Sequence, residues 1–302
     1  MRALAMVAVA VLVAAGTAAA GPATGPSAVI DATLAPCASV DALGSLWVTG
    51  NALAELVRIS PETNRVTGRV RVGNGPCGVS YGAGSLWLNG YGTNSVERVD
   101  PRRLRMTKHI PVSNAPWDVV YAARALWSSS DVGVVDKIDP SRNKVVRRIK
   151  LPGRLRGVTW AFGSVWVGSQ TGTAAFRIDP RTSRVTRVAI GQRGPSFFAA
   201  SADAMWVTSV GSSTAARVDP RTNRVTAVVK VGSQPGDPAV APDGRIWVPI
   251  RGENSVQIVD PGTNAVTTTI KVSERPFVLW SAFGAVWVPH FGGDDVWRFD
   301  VG

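Results

Sequence analysis

An apolar cluster centred on tryptophan returns along the chain as Leu46-Trp47-Val48, Leu86-Trp87-Leu88, Leu126-Trp127, Val165-Trp166-Val167, Met205-Trp206-Val207, Ile246-Trp247-Val248 and Val286-Trp287-Val288. The intervals between these tryptophans are 40, 40, 39, 40, 41 and 40 residues. A second landmark keeps the same step: Ser60-Pro61, Asp100-Pro101, Asp139-Pro140, Asp179-Pro180, Asp219-Pro220 and Asp260-Pro261, with Asp300 in the last unit. A fixed period of this length marks a chain built from one supersecondary unit used repeatedly, each copy burying its apolar face against its neighbours.

The fifth unit shows what fills one period. Apolar runs at 195–202, 204–208, 215–219 and 224–231 supply four strands and leave no room for a helix. The third and fourth runs are joined by Pro220-Arg221-Thr222-Asn223, where proline presets φ and asparagine tolerates a left-handed backbone, so a tight hairpin is expected. The aspartate ahead of each such turn can accept bonds from its amides, which gives the repeated Asp-Pro a structural role. The second run is apolar on both faces, whereas the fourth alternates, as in Arg65-Val66-Thr67-Gly68-Arg69-Val70-Arg71-Val72. The fourth strand is therefore an outer edge, and charges such as Arg69, Arg71, Arg147 and Lys150 keep it from pairing with other molecules, so a monomer is expected.

An open stack of such units would need polar caps. Here the last unit has a third strand, Val296 to Asp300, and no fourth, while Ala28-Val29-Ile30-Asp31-Ala32-Thr33-Leu34 near the N-terminus matches the fourth strand of the sixth unit, Val266 to Val272. Pairing the two ends closes a ring and removes both open edges. The expected fold is an all-β, seven-bladed β-propeller with four antiparallel strands per blade, covering 28–302, its ring closed by the N-terminal strand completing the last blade.

The stretch Ile246-Trp247-Val248-Pro249, Asn254 to Pro261, Thr263-Asn264-Ala265-Val266 and Thr269-Ile270-Lys271-Val272 resembles the repeat of the YVTN family of seven-bladed propellers, and Leu86-Trp87-Leu88-Asn89 is close to that family's name motif. The resemblance covers essentially the whole chain from about Ser27. The chain is similar, less closely, to the virginiamycin B lyase group, which shares the architecture. Such likeness implies a fold more than a function.

In a propeller, the loops before the first strand and between the second and third strands gather on one face around the central channel. Those loops supply Asn89, Tyr91, Trp117, Asp118, Asp131, Arg156, Gln170, Arg193, Phe197, Asp237, Arg251, Glu253, Phe277, His290, Asp294 and Asp295, which break the repeat's consensus. Asn89, Tyr91, Trp117, Asp118, Arg156, Arg193, Phe197, Asp237, Arg251, Phe277 and His290 are the candidate ligand-binding residues. Aromatic, basic and acidic groups around one mouth suit a small polar ligand or a cell-envelope component; drift of loop tips is the alternative.

Resemblance to virginiamycin B lyase implies opening of a cyclic depsipeptide by elimination, with magnesium and a general base on histidine and glutamate. The chain has two histidines. His109 falls in a fourth strand and should sit at the rim. His290 lies in a channel-face loop, and Glu253 in the equivalent loop one blade earlier, so these two are the candidates for catalysis in that alternative. The remaining ligands of a metal site cannot be matched residue by residue. The first reading is accordingly a non-enzymatic binding propeller without a cofactor. No CxxC pair, phosphate-cradling loop or Ser-His arrangement around Ser128-Ser129-Ser130 suggests other chemistry.

Cys37 and Cys77 follow proline in Pro36-Cys37 and Pro76-Cys77, one period apart, and so share a register on the innermost strands of adjacent blades. Strands ringing an axis at about 7 to 8 Å place neighbouring Cα atoms about 6 to 7 Å apart, at the upper limit for a disulfide. A Cys37–Cys77 bond is expected, with two separate buried thiols as the alternative.

Export makes that bond plausible. Met1-Arg2, the apolar run Ala3 to Ala15 and Ala18-Ala19-Ala20 before Gly21 form the basic start, short core and small-residue cleavage site of a secretory signal peptide at 1–20. A flexible Gly/Pro/Ala/Ser/Thr leader spans 21–27, and no further segment approaches transmembrane length. A secreted or extracytoplasmic protein is expected. The formal net charge is +12, and Arg102, Arg103, Arg105, Arg142, Lys144, Arg181, Arg184, Arg221 and Arg224 gather in the hairpins of units two to five. This basic arc, opposite the loop face, would favour electrostatic association with anionic surfaces; solvation without a partner is the alternative, and the hairpins lack the interleaved aromatics of a nucleic-acid site.

Overall fold

Each period folds as one four-stranded antiparallel sheet, and seven such sheets are arranged as the blades of a propeller in the computed structural model, which describes residues 25–301. The expected signal peptide and residues 21–24 of the leader lie outside the described residues. Blades are numbered 1 to 7 here by their tryptophans, from Trp47 to Trp287. In blade 1 the strands are Pro36–Ala42, Ser45–Gly50, Glu55–Ser60 and Arg65–Arg71, hydrogen-bonded in that order. The first strand lies innermost, and the last shows an alternating, half-exposed pattern. Among the described residues no helix is long and apolar enough to cross a membrane.

Blade 7 takes its outer strand from the other end of the chain. Ala28–Asp31 runs antiparallel to Asp295–Asp300, with Ala28 opposite Arg298 and Ile30 opposite Val296. Ala32 and Thr33 continue the zipper by donating to the Asp294 carbonyl.

The seven blade tryptophans are at most 1 % exposed and fill the wedge between neighbouring sheets. Five of them, Trp47, Trp87, Trp127, Trp166 and Trp287, donate Nε1–H to the carbonyl five residues earlier, so the ring also pins the turn joining the two inner strands. At the outer hairpins, Oδ1 of Asp100, Asp139, Asp179 and Asp260 accepts backbone N–H groups two and three residues on. The closing residues Asn64, Asn143, Asn223 and Asn264 adopt φ between 51° and 58°. The turn bonds hold the carboxyls of Asp100, Asp139, Asp179 and Asp219 below the ordinary carboxylate range, with the Ser141 hydroxyl foremost at Asp139.

A cation on the third strand stands opposite the tryptophan in most blades and reaches the next blade. Arg98, Lys137, Arg177, Arg217 and Arg298 donate to the carbonyls of Pro140, Pro180, Pro220, Pro261 and Pro61, each in the outer hairpin of the following blade. Arg98, Lys137, Arg177 and Arg298 also stack on their own blade's tryptophan. In blade 6 the residue opposite Trp247 is Ile258. Its neighbour, blade 7, has no continuous outer hairpin, because its third and fourth strands come from opposite ends of the chain.

Candidate functional site

The loop face is closed over the axis by aromatic side chains. Phe277 is central: its ring lies 5.6 Å from Phe197, 5.9 Å from Phe291 and 6.5 Å from Trp117, and Trp117 meets Tyr91 at 6.0 Å. Phe197 and Phe277 are buried and pack with Cys37 and Cys77 in one cluster. The two cysteines form a disulfide between blades 1 and 2, with Cα atoms 5.1 Å apart. The aromatic residues that the sequence assigns to this face thus meet one another and the disulfide, forming a lid on the channel.

Guanidinium groups lie on that lid. Arg156 stacks on Trp117 at 3.9 Å, Arg251 on Phe277 at 4.6 Å and Arg275 on Phe291 at 5.7 Å. Arg156 is buried and compensated, because it bonds the Asp131 carboxylate and the Gln170 side-chain oxygen; Asp131 also receives Arg154 and the Tyr91 hydroxyl. Burial pulls Arg156 down to about 10, Tyr91 counteracts this, and nearby Arg251 adds to it. Arg251 is likewise lowered, first by burial and then by the charge of Arg275. Among the described residues Arg193, Arg251 and Arg275 have no carboxylate within 4.0 Å. Arg275, absent from the candidates that the sequence offers, belongs to this site. Its signal was its place directly before Pro276, the position of Ala35, Gly75, Ala115 and Gly194 in other blades.

Other predicted positions serve the scaffold. Asn89 is fully buried, and its Nδ2 donates to the Pro116 carbonyl of the next blade at 2.7 Å. Thr49, Ser129 and Thr208 make the same tie to Cys77, Arg156 and Gly236. Arg193 is exposed, and its backbone N–H donates to Ser212 Oγ. Asp118 and Asp237 point below the lid, into the channel. Protein surrounds both, although each keeps some surface on the channel. Burial raises Asp118 to about 6, against amide bonds from Val158 and Val119. Asp237 is raised well above the ordinary carboxylate range, by burial first and then by the charge of Asp118.

His290 is completely buried. Its Nδ1 lies 2.8 Å from Asp295 Oδ1, whose other oxygen accepts Trp297 Nε1–H at 2.6 Å. Burial raises Asp295, but the bond and charge of His290 and the Trp297 bond outweigh it and leave the group lowered. Glu253 accepts the Ser233 backbone N–H at 2.7 Å, in its own blade's loops. Among the described residues no three His, Cys, Asp or Glu side chains converge to hold a metal ion. His109 sits at the rim, 3.5 Å from Glu97. In the basic arc, Arg103, Arg142 and Arg221 pair with the aspartates of their own turns, which compensates part of its charge.

No family model matches the chain, and no curated protein matches it in sequence. Among solved structures it is similar to virginiamycin B lyase from Staphylococcus aureus, with a TM-score of 0.77 and 14 % identity over 87 % of this chain and 94 % of that one. A streptogramin B lyase structure gives a TM-score of 0.76 at 14 % identity, over 93 % of this chain and 95 % of the other. Hydrazine synthase from Kuenenia stuttgartiensis gives 0.72 at 16 % identity, over 96 % of this chain and 100 % of the other. At such identities the likeness shows the fold, which carries unrelated activities in these proteins.

Proposed function

We propose that the protein is an exported, non-enzymatic binding propeller whose loop face holds an anionic group, a carboxylate or phosphate, of a small polar ligand or cell-envelope component. The observation that carries this reading is the pair Arg251 and Arg275. They are close enough for one charge to depress the other, each lies over an aromatic ring, and neither has a carboxylate partner among the described residues. Two like charges held together on an apolar floor are stabilised by an anion between them. The aromatic lid supplies a stacking surface for a flat ligand body, and the Asp131-compensated Arg156 borders it. Export is supported by the N-terminal leader sequence and is compatible with the Cys37–Cys77 disulfide.

A thermal-shift and titration series with phenyl phosphate, benzoate and inorganic phosphate tests the reading. Phenyl phosphate should bind saturably, and the double variant Arg251→Ala/Arg275→Ala should weaken it at least tenfold while leaving the melting profile of the free protein intact. Binding unaffected by that variant would overturn the site. The alternative lyase reading has less support, because His290 is enclosed and Glu253 is engaged elsewhere. Linear product from a streptogramin B antibiotic incubated with the protein and magnesium, lost in His290→Ala, would overturn the non-enzymatic assignment.

A further inference from the structure

Beneath the lid, the inner strands of all seven blades enclose a cavity of about 300 Å³. Its walls are mostly aliphatic. Among the described residues the only charged or titratable side chains lining it are Asp118 and Asp237, in a chain whose formal net charge is +12. The two occupy one register, each two residues before the residue opposite its blade's tryptophan: Val120 faces Trp127 and Ala239 faces Trp247. They lie three blades apart in a ring of seven, and therefore on opposite sides of the axis. Away from the lid the cavity reaches exposed Ala200 and half-buried Trp280, whose ring is fixed by an Nε1–H bond to Asp41.

Confined carboxylates facing one another are costly when ionised, and either a proton or a cation relieves the cost. A bare metal ion is poorly served. Asp118 already accepts the Val119 and Val158 amides and Asp237 accepts that of Phe198, with no third acid or histidine on the wall. An ammonium group needs only lone pairs along its N–H directions, which the carboxylates offer, and the aliphatic wall accepts an apolar body. We propose that the channel is a second binding site, open on the hairpin face, for a small organic cation: an alkyl- or arylammonium ion with its nitrogen between Asp118 and Asp237 and its apolar body toward Trp280. This site takes a ligand of opposite charge on the opposite side of the lid from Arg251 and Arg275, so the two proposals stand or fall separately.

Calorimetric titration of the folded chain with benzylammonium and n-butylammonium, against benzyl alcohol, potassium and calcium, tests it. The ammonium ions should bind saturably, at least tenfold tighter than the alcohol and at least tenfold tighter at pH 7.5 than at pH 5, because protons compete for the same carboxylates. Asp118→Asn/Asp237→Asn should lose that preference for the charged ligand. Ala200→Trp, at an exposed position of the mouth, should weaken ammonium binding with both carboxylates in place, which keeps the test independent of any folding defect in the double variant. Equal affinity for benzylammonium and benzyl alcohol, ammonium affinity that ignores pH, or binding of calcium without binding of either amine would overturn the proposal.

Discussion

A carboxylic acid enclosed by protein favours its neutral form, and two facing one channel favour it more. Asp118, raised to about 6, and Asp237, raised well above the ordinary carboxylate range, therefore stay protonated in the native state at pH values where the unfolded chain has released those protons. Native protein then binds more protons than unfolded protein, so stability falls as pH rises from the unfolded value near 3.8 through the folded values. The turn aspartates Asp100, Asp139, Asp179 and Asp219 have the opposite sign: their stabilisation is present above the unfolded value and is lost as pH falls through their depressed values. In amine-free buffer the urea midpoint should peak at about pH 4 to 5, and Asp118→Asn should remove a decline on the order of 2 kcal/mol between that peak and neutrality. A midpoint flat from pH 4 to 7 would contradict the assignment. The sequence shows Asp118 and Asp237 as departures from a repeat, but spacing alone does not tell whether such a residue faces solvent, the channel or the next blade. Asn89 and His290 were equally visible and turn inward, because a second-strand end packs against its neighbour in this fold.

Blade-to-blade ties are where the elements add stability beyond apolar packing. Each of Arg98, Lys137, Arg177, Arg217 and Arg298 stands ten or eleven residues after its blade's tryptophan and crosses to a proline carbonyl of the following outer hairpin. Arg177 also bonds Asn223 Oδ1 and the Ser164 hydroxyl and lies over Trp166 at 4.7 Å. Arg177→Met keeps much of the apolar stem and removes the charged donor, leaving the Pro220 carbonyl and Asn223 side chain without it. Urea unfolding should show a loss of about 1–3 kcal/mol. Arg177→Lys should recover part of that loss, since Lys137 makes the equivalent bond in blade 3. A loss below about 0.5 kcal/mol would mean that solvent replaces the tie. This element was written in the sequence at an offset of ten or eleven residues from the tryptophan, as was its exception at Ile258. The apolar period does not reveal it, because a single cation opposite a buried ring looks like any other solvated charge until the neighbouring hairpin is in place.

At the scale of the ring, seven tryptophans at near-constant intervals were enough to count the blades, and the unmatched ends of the chain were enough to close them. The lid and the cavity beneath it were not legible, since both depend on how side chains from non-adjacent blades meet at the axis. Closure is the property on which the whole molecule depends: without Ala28–Asp31, Asp295–Asp300 would present a bare edge, and Ile30, 4 % exposed, would leave the core between blades 7 and 1. The seam would then keep the packing of Leu46 and Val48 with Ala285 and Trp287, the Ala35 N–H bond to the Gly293 carbonyl, the Arg298 bonds to Pro61 and Asn64 and the Trp280–Asp41 bond. A chain starting at residue 34 should lose at least about 3 kcal/mol from Ile30 and its neighbours alone, with a lower melting temperature and self-association visible by size-exclusion chromatography. Moving residues 28–33 to follow Asp300 through a Pro-Arg-Thr-Asn hairpin, copied from the fifth unit, would supply the same strand from the other end. That rearranged chain should regain the monomeric elution volume and most of the lost stability. If it behaves like the truncated chain, the N-terminal strand contributes something other than the missing edge of blade 7, and ring closure is not the reason the ends meet.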